Sequence, residues 1–160
     1  TLPDTYAFAY IRSLETLSLP NLESANEYMI RNTALKYAVF PKFTRNLGWR
    51  VFSYVSTLLA VDIIGSTSGL SNECFRNDTN LTTLILRGCT LTALANMGAF
   101  AGTPFASDGA GGTLYVPQAL ISSYQSASNW STILGYANNS IQKIEGSIYE
   151  TQYADGTPIS

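Results

Sequence analysis

The sequence predicts a β-rich α/β solenoid: a right-handed superhelix with short parallel strands on its concave side, few short helices and a C-terminal cap. Three observations predict it. The pattern L-x-x-L-x-L recurs in four copies whose first positions, Leu14, Leu35, Leu58 and Leu81, stand 21, 23 and 23 residues apart. A bulky apolar residue, Phe8, Met29, Phe52 or Phe75, precedes each copy by six residues. Charged residues make up only 12% of the 160, about half the usual share. Ser, Thr, Asn, Gly and ten Tyr take their place, a composition that fits extracellular or virion β-rich proteins.

The elements follow in order. The copies are Leu14, Leu17, Leu19; Leu35, Ala38, Phe40; Leu58, Val61, Ile63; and Leu81, Leu84, Leu86. Alternation over the last two positions makes a short strand with one buried face. So small a unit cannot bury its own apolar face, so coils stack and their strands align in parallel. A period of about 20–29 residues with L-x-x-L-x-L-x-x-N/C-x-L is the leucine-rich-repeat pattern. The fourth copy carries it in full, through Cys89 and Leu91, whereas Leu22, Phe43 and Ser66 hold the Asn/Cys position in the others. Sandwich strands would recur every 8–12 residues or so, which fits poorly. Proline leaves the strand at Pro20, Pro41 and Pro117, where it ends the pairing.

After Leu94 the pattern changes. Phe100 is the next bulky landmark, and the Gly-rich stretch 108–112 reads as a hairpin tip. Leu114 and Val116 make another strand. Residues 118–126 place Leu120, Ile121 and Tyr124 on one face of a short helix begun by Pro117. Trp130 plugs the same core, and Ile141 and Ile144 mark a last strand. Residues 1–145 thus read as one domain, with repeats over about 6–94 and a cap over about 95–145. Residues 146–160 read as a tail or the start of a following module. Both termini look cut from something longer, since the chain opens on Thr1 and Leu2-Pro3 resembles the end of an earlier strand.

Several function classes are disfavoured. The nine Lys and Arg are scattered and the net charge is −2, so phosphate neutralisation of a nucleic acid is not expected. No apolar run approaches the ~20 residues of a membrane span. The chain has no histidine, the commonest general base and zinc ligand. Nothing pairs two of the sparse carboxylates across a cleft, as a glycosidase requires. The expectation is therefore no enzyme, cofactor or metal. The N-x-S/T sequons at Asn77, Asn80 and Asn129 are expected by chance in a chain so rich in these residues.

The copies, with Pro after the strand, resemble the BspA-type leucine-rich repeats of bacterial surface proteins. Residues 114–133, LYVPQALISSYQSASNWSTI, are similar to the closing segment of such arrays. The resemblance covers roughly residues 6–145. It implies a secreted, surface-anchored or phage-associated protein engaged in adhesion or recognition, with no shared catalytic residues.

The concave face would present two rows. One holds Thr16, Tyr37, Ala60, Thr83 and Thr113, the other Ser18, Val39, Asp62, Ile85 and Tyr115. Tyr37, Val39, Asp62, Thr83, Ile85 and Tyr115 are the candidate contacts for a protein or glycan on a host or cell surface, or for self-association, since Tyr offers area plus a hydroxyl. A solvated face without a ligand, in a spacer or capping domain, is the alternative. Cys89 is expected to point inward and satisfy backbone groups as the chain leaves the strand; a Cys74–Cys89 disulfide is the competing reading.

Overall fold

The computed structural model describes residues 5–144. Its strands are β1 (Tyr37–Phe40), β2 (Ala60–Ile63), β3 (Gly69–Leu70), β4 (Thr83–Leu86), β5 (Ala93–Leu94), β6 (Thr113–Val116) and β7 (Ser140–Lys143). They form a five-stranded parallel sheet in the order β1-β2-β4-β6-β7 and a second, two-stranded parallel ladder, β3-β5. Single bridges extend that ladder from Leu70 to Leu47 and Ala25. The helices are few and short: α1 (Ile121–Ser126), entered through a 3-10 turn at Gln118–Leu120, and α2 (Trp130–Leu134). The expected helix and last strand are thus present, and α2 is an addition. Stretch 108–112 is not a hairpin tip, because the strand after it, β6, pairs only in parallel. It is a loop in which Gly111, at φ +110°, passes so close to the Asn138 carbonyl that a Cβ would sit 2.2 Å away.

A complete repeat contributes three segments: a strand of the main sheet, one or two residues of the second ladder, and a turn carrying the bulky landmark. On the turn side, backbone bonds join one coil to the next: Phe8 N to Met29 O, Ile30 N to Val51 O, Phe52 N to Cys74 O and Phe75 N to Ala99 O, at 2.8–3.0 Å. These bonds make Ile30 the equivalent of Phe8, Phe52, Phe75 and Phe100. Met29, the expected landmark, lies one residue earlier, and the second coil is one residue shorter before Leu35. Both Met29 and Ile30 are buried, so hydrophobicity alone does not choose between them. Phe52, Phe75 and Phe100 stack at 5.7 and 5.6 Å between centroids, forming the spine of the core with Leu58, Leu81, Leu84 and Leu114 around it. The first coil, Leu14 to Leu19, packs against this core only partly buried and forms no strand.

Cys89 does not point inward. It is exposed, and neither cysteine is bonded in a disulfide. The buried position after β4 belongs to Gly88, where a Cβ would stand 2.7 Å from the Ser66 Cα. So close an approach of two coils admits only glycine, and the next side chain, Cys89, turns outward with its sulfur 3.6 Å from the Ser66 hydroxyl. The inward role falls to two buried threonines. The Thr67 hydroxyl donates to the Arg45 carbonyl, and the Thr92 hydroxyl to the Thr67 carbonyl at 3.2 Å. The Trp130 indole N–H takes the next rung, donating to the Thr92 carbonyl at 2.7 Å.

Trp130 belongs to a cap that covers the open end. The Thr92 amide donates to the Tyr124 hydroxyl at 3.0 Å, and the Asn129 amide donates to the carbonyls of Leu94 and Ala95 at 2.8 and 3.2 Å. These are the backbone groups a further coil would have paired. Trp130 itself is fully buried against Phe100 and Tyr124.

Trp130→Phe should leave the Thr92 carbonyl unsatisfied and cost about 1–3 kcal/mol; Trp130→Ala should cost about 3–5 kcal/mol. Urea denaturation of both variants checks the order. A second prediction concerns Asp78, fully buried on the turn side. One of its oxygens accepts from the Val55 amide at 2.8 Å and the other has no partner, so burial raises its pKa well above the ordinary carboxylate range. The folded state then holds a proton the unfolded chain releases, so this group's contribution to stability is full below about pH 4 and is lost as pH rises toward the folded pKa. Asp78→Asn should raise the thermal midpoint at neutral pH and have little effect near pH 3.

Candidate functional site

The sheet places the predicted rows in register. Tyr37, Ala60, Thr83 and Thr113 are partners across the strands, as are Val39, Asp62, Ile85 and Tyr115. Thr16 and Ser18 lie outside any strand. Exposure, however, departs from the expectation at the centre of the face. Ile85 and Asp62 are buried, at 0% and 1% exposure. Asp62 is held by Arg87, which donates from Nε and Nη2 to its two oxygens, each at 2.8 Å. Burial raises the Asp62 pKa and the Arg87 guanidinium opposes that rise. Ile85 stands in register between Asp62 and Tyr115 on a central strand. Neither side chain is open for a ligand. Tyr37, Val39, Thr83 and Tyr115 are half-exposed, and the two tyrosines already engage other residues.

A more exposed constellation lies on the turn side. Two positions in each of the first four coils, two residues before and two after the landmark, adopt left-handed backbone: Tyr6 and Tyr10, Tyr28 and Asn32, Arg50 and Tyr54, Glu73 and Asn77. Glycine or asparagine is the usual occupant of that region. Here the conformation recurs because each turn must bend around its landmark while keeping the bonds to the next coil. It projects tyrosines outward: Tyr6, Tyr10 and Tyr54 are 48%, 52% and 40% exposed. Tyr6 and Tyr28 stack at 4.7 Å, and Tyr28 meets Trp49 edge-on at 5.2 Å. The Arg31 guanidinium lies 5.8, 5.5 and 4.9 Å from the ring centres of Tyr10, Tyr28 and Tyr54. Its Nε is buried without a hydrogen bond, so aromatic faces supply its main compensation. Arg50 lies over Trp49 at 4.6 Å and pairs with Glu73, which also accepts from Arg76. This pairing holds the Glu73 carboxyl below its ordinary pKa. The signal was present in the sequence as tyrosines two residues from three landmarks: Tyr6 and Tyr10 about Phe8, Tyr28 before Ile30 and Tyr54 after Phe52.

Next to Trp49, on the second-ladder side, is an open cavity of about 340 Å3 whose lining combines apolar surface with the polar side chains of Ser24, Glu27, Arg45, Asn46 and Ser71. Among the described residues no group of three His, Cys, Asp or Glu side chains could hold a metal. No described helix is long and apolar enough to cross a membrane.

Residues 4–104 match, in six copies, the BspA type leucine rich repeat region. Neither the curated proteins nor the solved structures yield a match.

The Asp62–Arg87 pair offers a test of the strand face. Arg87→Met strands a buried carboxylate and should cost about 3–5 kcal/mol, whereas the double replacement Asp62→Leu/Arg87→Met should recover most of it. Chemical denaturation of the three proteins measures both.

Proposed function

The chain belongs to the BspA-type leucine-rich-repeat family, and from that premise we propose that it is a non-catalytic recognition or adhesion module of a bacterial cell-surface or phage-associated protein. Its partner is a protein or glycan on a host or cell surface. The family's common work is protein interaction, without shared catalytic groups, and this reading extends it to an extracellular location. We also infer that the coils wind as a right-handed superhelix with the main sheet on the concave side, and that residues 1–145 form one domain. Residues 1–4 and 145–160, with Leu2-Pro3 and the expected tail among them, lie outside the described residues.

One observation carries the proposal: the strip of exposed Tyr6, Tyr10 and Tyr54 and half-buried Tyr28, organised around Arg31. Tyr, Trp and Arg are the residues most enriched at interface hot spots, because they present a large rigid area with a polar edge. Stacking and cation–π contacts fix these rings before binding, which lowers the entropy lost on association. The half-exposed strand-face residues Tyr37, Val39, Thr83 and Tyr115 are a second contact surface under the same reading. A spacer or capping domain without a ligand of its own is the alternative, and burial of Asp62 and Ile85 favours it for the centre of the sheet.

The test is binding of fluorescently labelled protein to host cells and bacterial cells. Tyr10→Ser/Tyr54→Ser should weaken binding about tenfold or more, measured well below the variant's thermal midpoint, since Arg31 loses two of its ring partners. Thr83→Arg asks the same of the strand face. Binding unaffected by both variants, or no binding by the unmodified protein, supports the spacer.

A further inference from the structure

We propose that the cavity beside Trp49 is a carbohydrate site that takes a neutral pyranoside. The site is separate from the strand face and borders the tyrosine strip at Tyr28, whose ring meets Trp49 edge-on; it stands whether or not those surfaces bind a protein. Its volume, about 340 Å3, falls at the small end of ligand pockets. Its lining offers both apolar surface and polar side chains. One aromatic residue, Trp49, borders it together with Ser24, Glu27, Arg45, Asn46 and Ser71.

That combination matches the two-sided chemistry of a sugar ring. A pyranose has a C–H-rich face, which an indole accepts, and a rim of hydroxyls that each donate and accept. Glu27 supplies acceptors only and Arg45 donors only, while the serine hydroxyls and the Asn46 amide do either. An anionic ligand would favour Arg45 but meet Glu27, and a cation the reverse. The lining is therefore balanced for an uncharged ligand. Among the described residues no ion pair joins Glu27 or Arg45 to another group.

The platform is fixed in advance. The Arg50 guanidinium lies 4.6 Å from the Trp49 ring centre and is itself held by Glu73. The Tyr28 ring meets the indole edge-on. Below them the floor is backbone. Gly48 donates to the Ala25 carbonyl at 3.2 Å, and a Cβ at Gly48 would stand 2.7 Å from that oxygen. No side chain can fill the floor, and neither coil can move inward. Ring and floor thus lose little freedom when a ligand arrives.

The experiment follows the indole N–H resonances by 1H–15N correlation spectroscopy during titration with methyl β-glucoside, cellotriose, maltotriose, chitobiose and glucuronic acid. Trp49 and Trp130, the two tryptophans, are distinguished by the resonance lost in Trp49→Phe. At least one neutral saccharide should shift the Trp49 signal and leave Trp130, buried in the cap, in place. Trp49→Ala and Glu27→Gln should each weaken that binding about tenfold or more. Glu27 is exposed, so Glu27→Gln keeps the test valid if the larger truncation disturbs the coil. The proposal is overturned if no neutral saccharide moves Trp49, if binding survives both variants, or if shifts fall on Thr83 and Tyr115 of the strand face instead. Tighter binding of glucuronic acid than of methyl β-glucoside would overturn the assignment to an uncharged ligand.

Discussion

Every coil in this protein leaves backbone groups that only its neighbour can satisfy. The ladder running from the Arg45 carbonyl through Thr67 and Thr92 to the Trp130 indole shows this most directly. Two rungs are threonine hydroxyls reaching one coil back. The last is an indole N–H from a helix, because no further coil follows there to supply a hydroxyl. Buried carbonyls without partners are costly, so the array requires a terminator with donors at the right heights. Tyr124, Asn129 and Trp130 provide it: the tyrosine oxygen receives the Thr92 amide, and the other two donate to carbonyls of the same coil. The cap is thus a substitute for a coil in hydrogen bonding as well as in covering the stacked rings of the core.

The same requirement produces the outer surface. Keeping backbone bonds between coils while turning around Phe52 or Phe75 demands left-handed residues at fixed offsets. Where those residues are tyrosines, Tyr6 stacks on Tyr28, and Tyr10 and Tyr54 both meet Arg31. The strip around Arg31 and the platform at Trp49 are therefore consequences of the turn geometry. Strain of this kind costs on the order of 1–3 kcal/mol per residue, and the coil-to-coil bonds and the ring contacts offset it. On the strand face the balance differs. There Asp62 and Arg87 satisfy each other, and with Ile85 also buried the centre of the sheet is closed to ligands.

The repeat was legible because its strongest signal, leucine at fixed spacing, is also its core: Leu58, Leu81 and Leu84 are fully buried. The strand register followed from it, since a one-residue slip would turn every core side chain outward. Exposure on the opposite face was not legible. It depends on a pair such as Asp62 and Arg87, 25 residues apart, which periodicity does not reveal. Cys89 misled because the repeat pattern allots a side chain to the inward position, whereas the approach of two coils at Gly88 leaves no room for one. The second ladder at Leu47, Leu70 and Leu94 was missed because one or two residues per coil are too few to show alternation.

The account rests on the claim that coils are stabilised by their neighbours and closed by the cap. Native-state hydrogen exchange tests it most directly, because it reads the free energy of opening amide by amide. The amides of Phe52, Tyr54, Phe75 and Asn77, which bond from one coil to the next, should be the slowest to exchange. In Asn129→Ala, protection should fall first at Ala93 and Ala95, beside the edge the cap covers, and less at each coil further from it. Equal loss of protection throughout the chain, or no loss at that edge, would contradict the account.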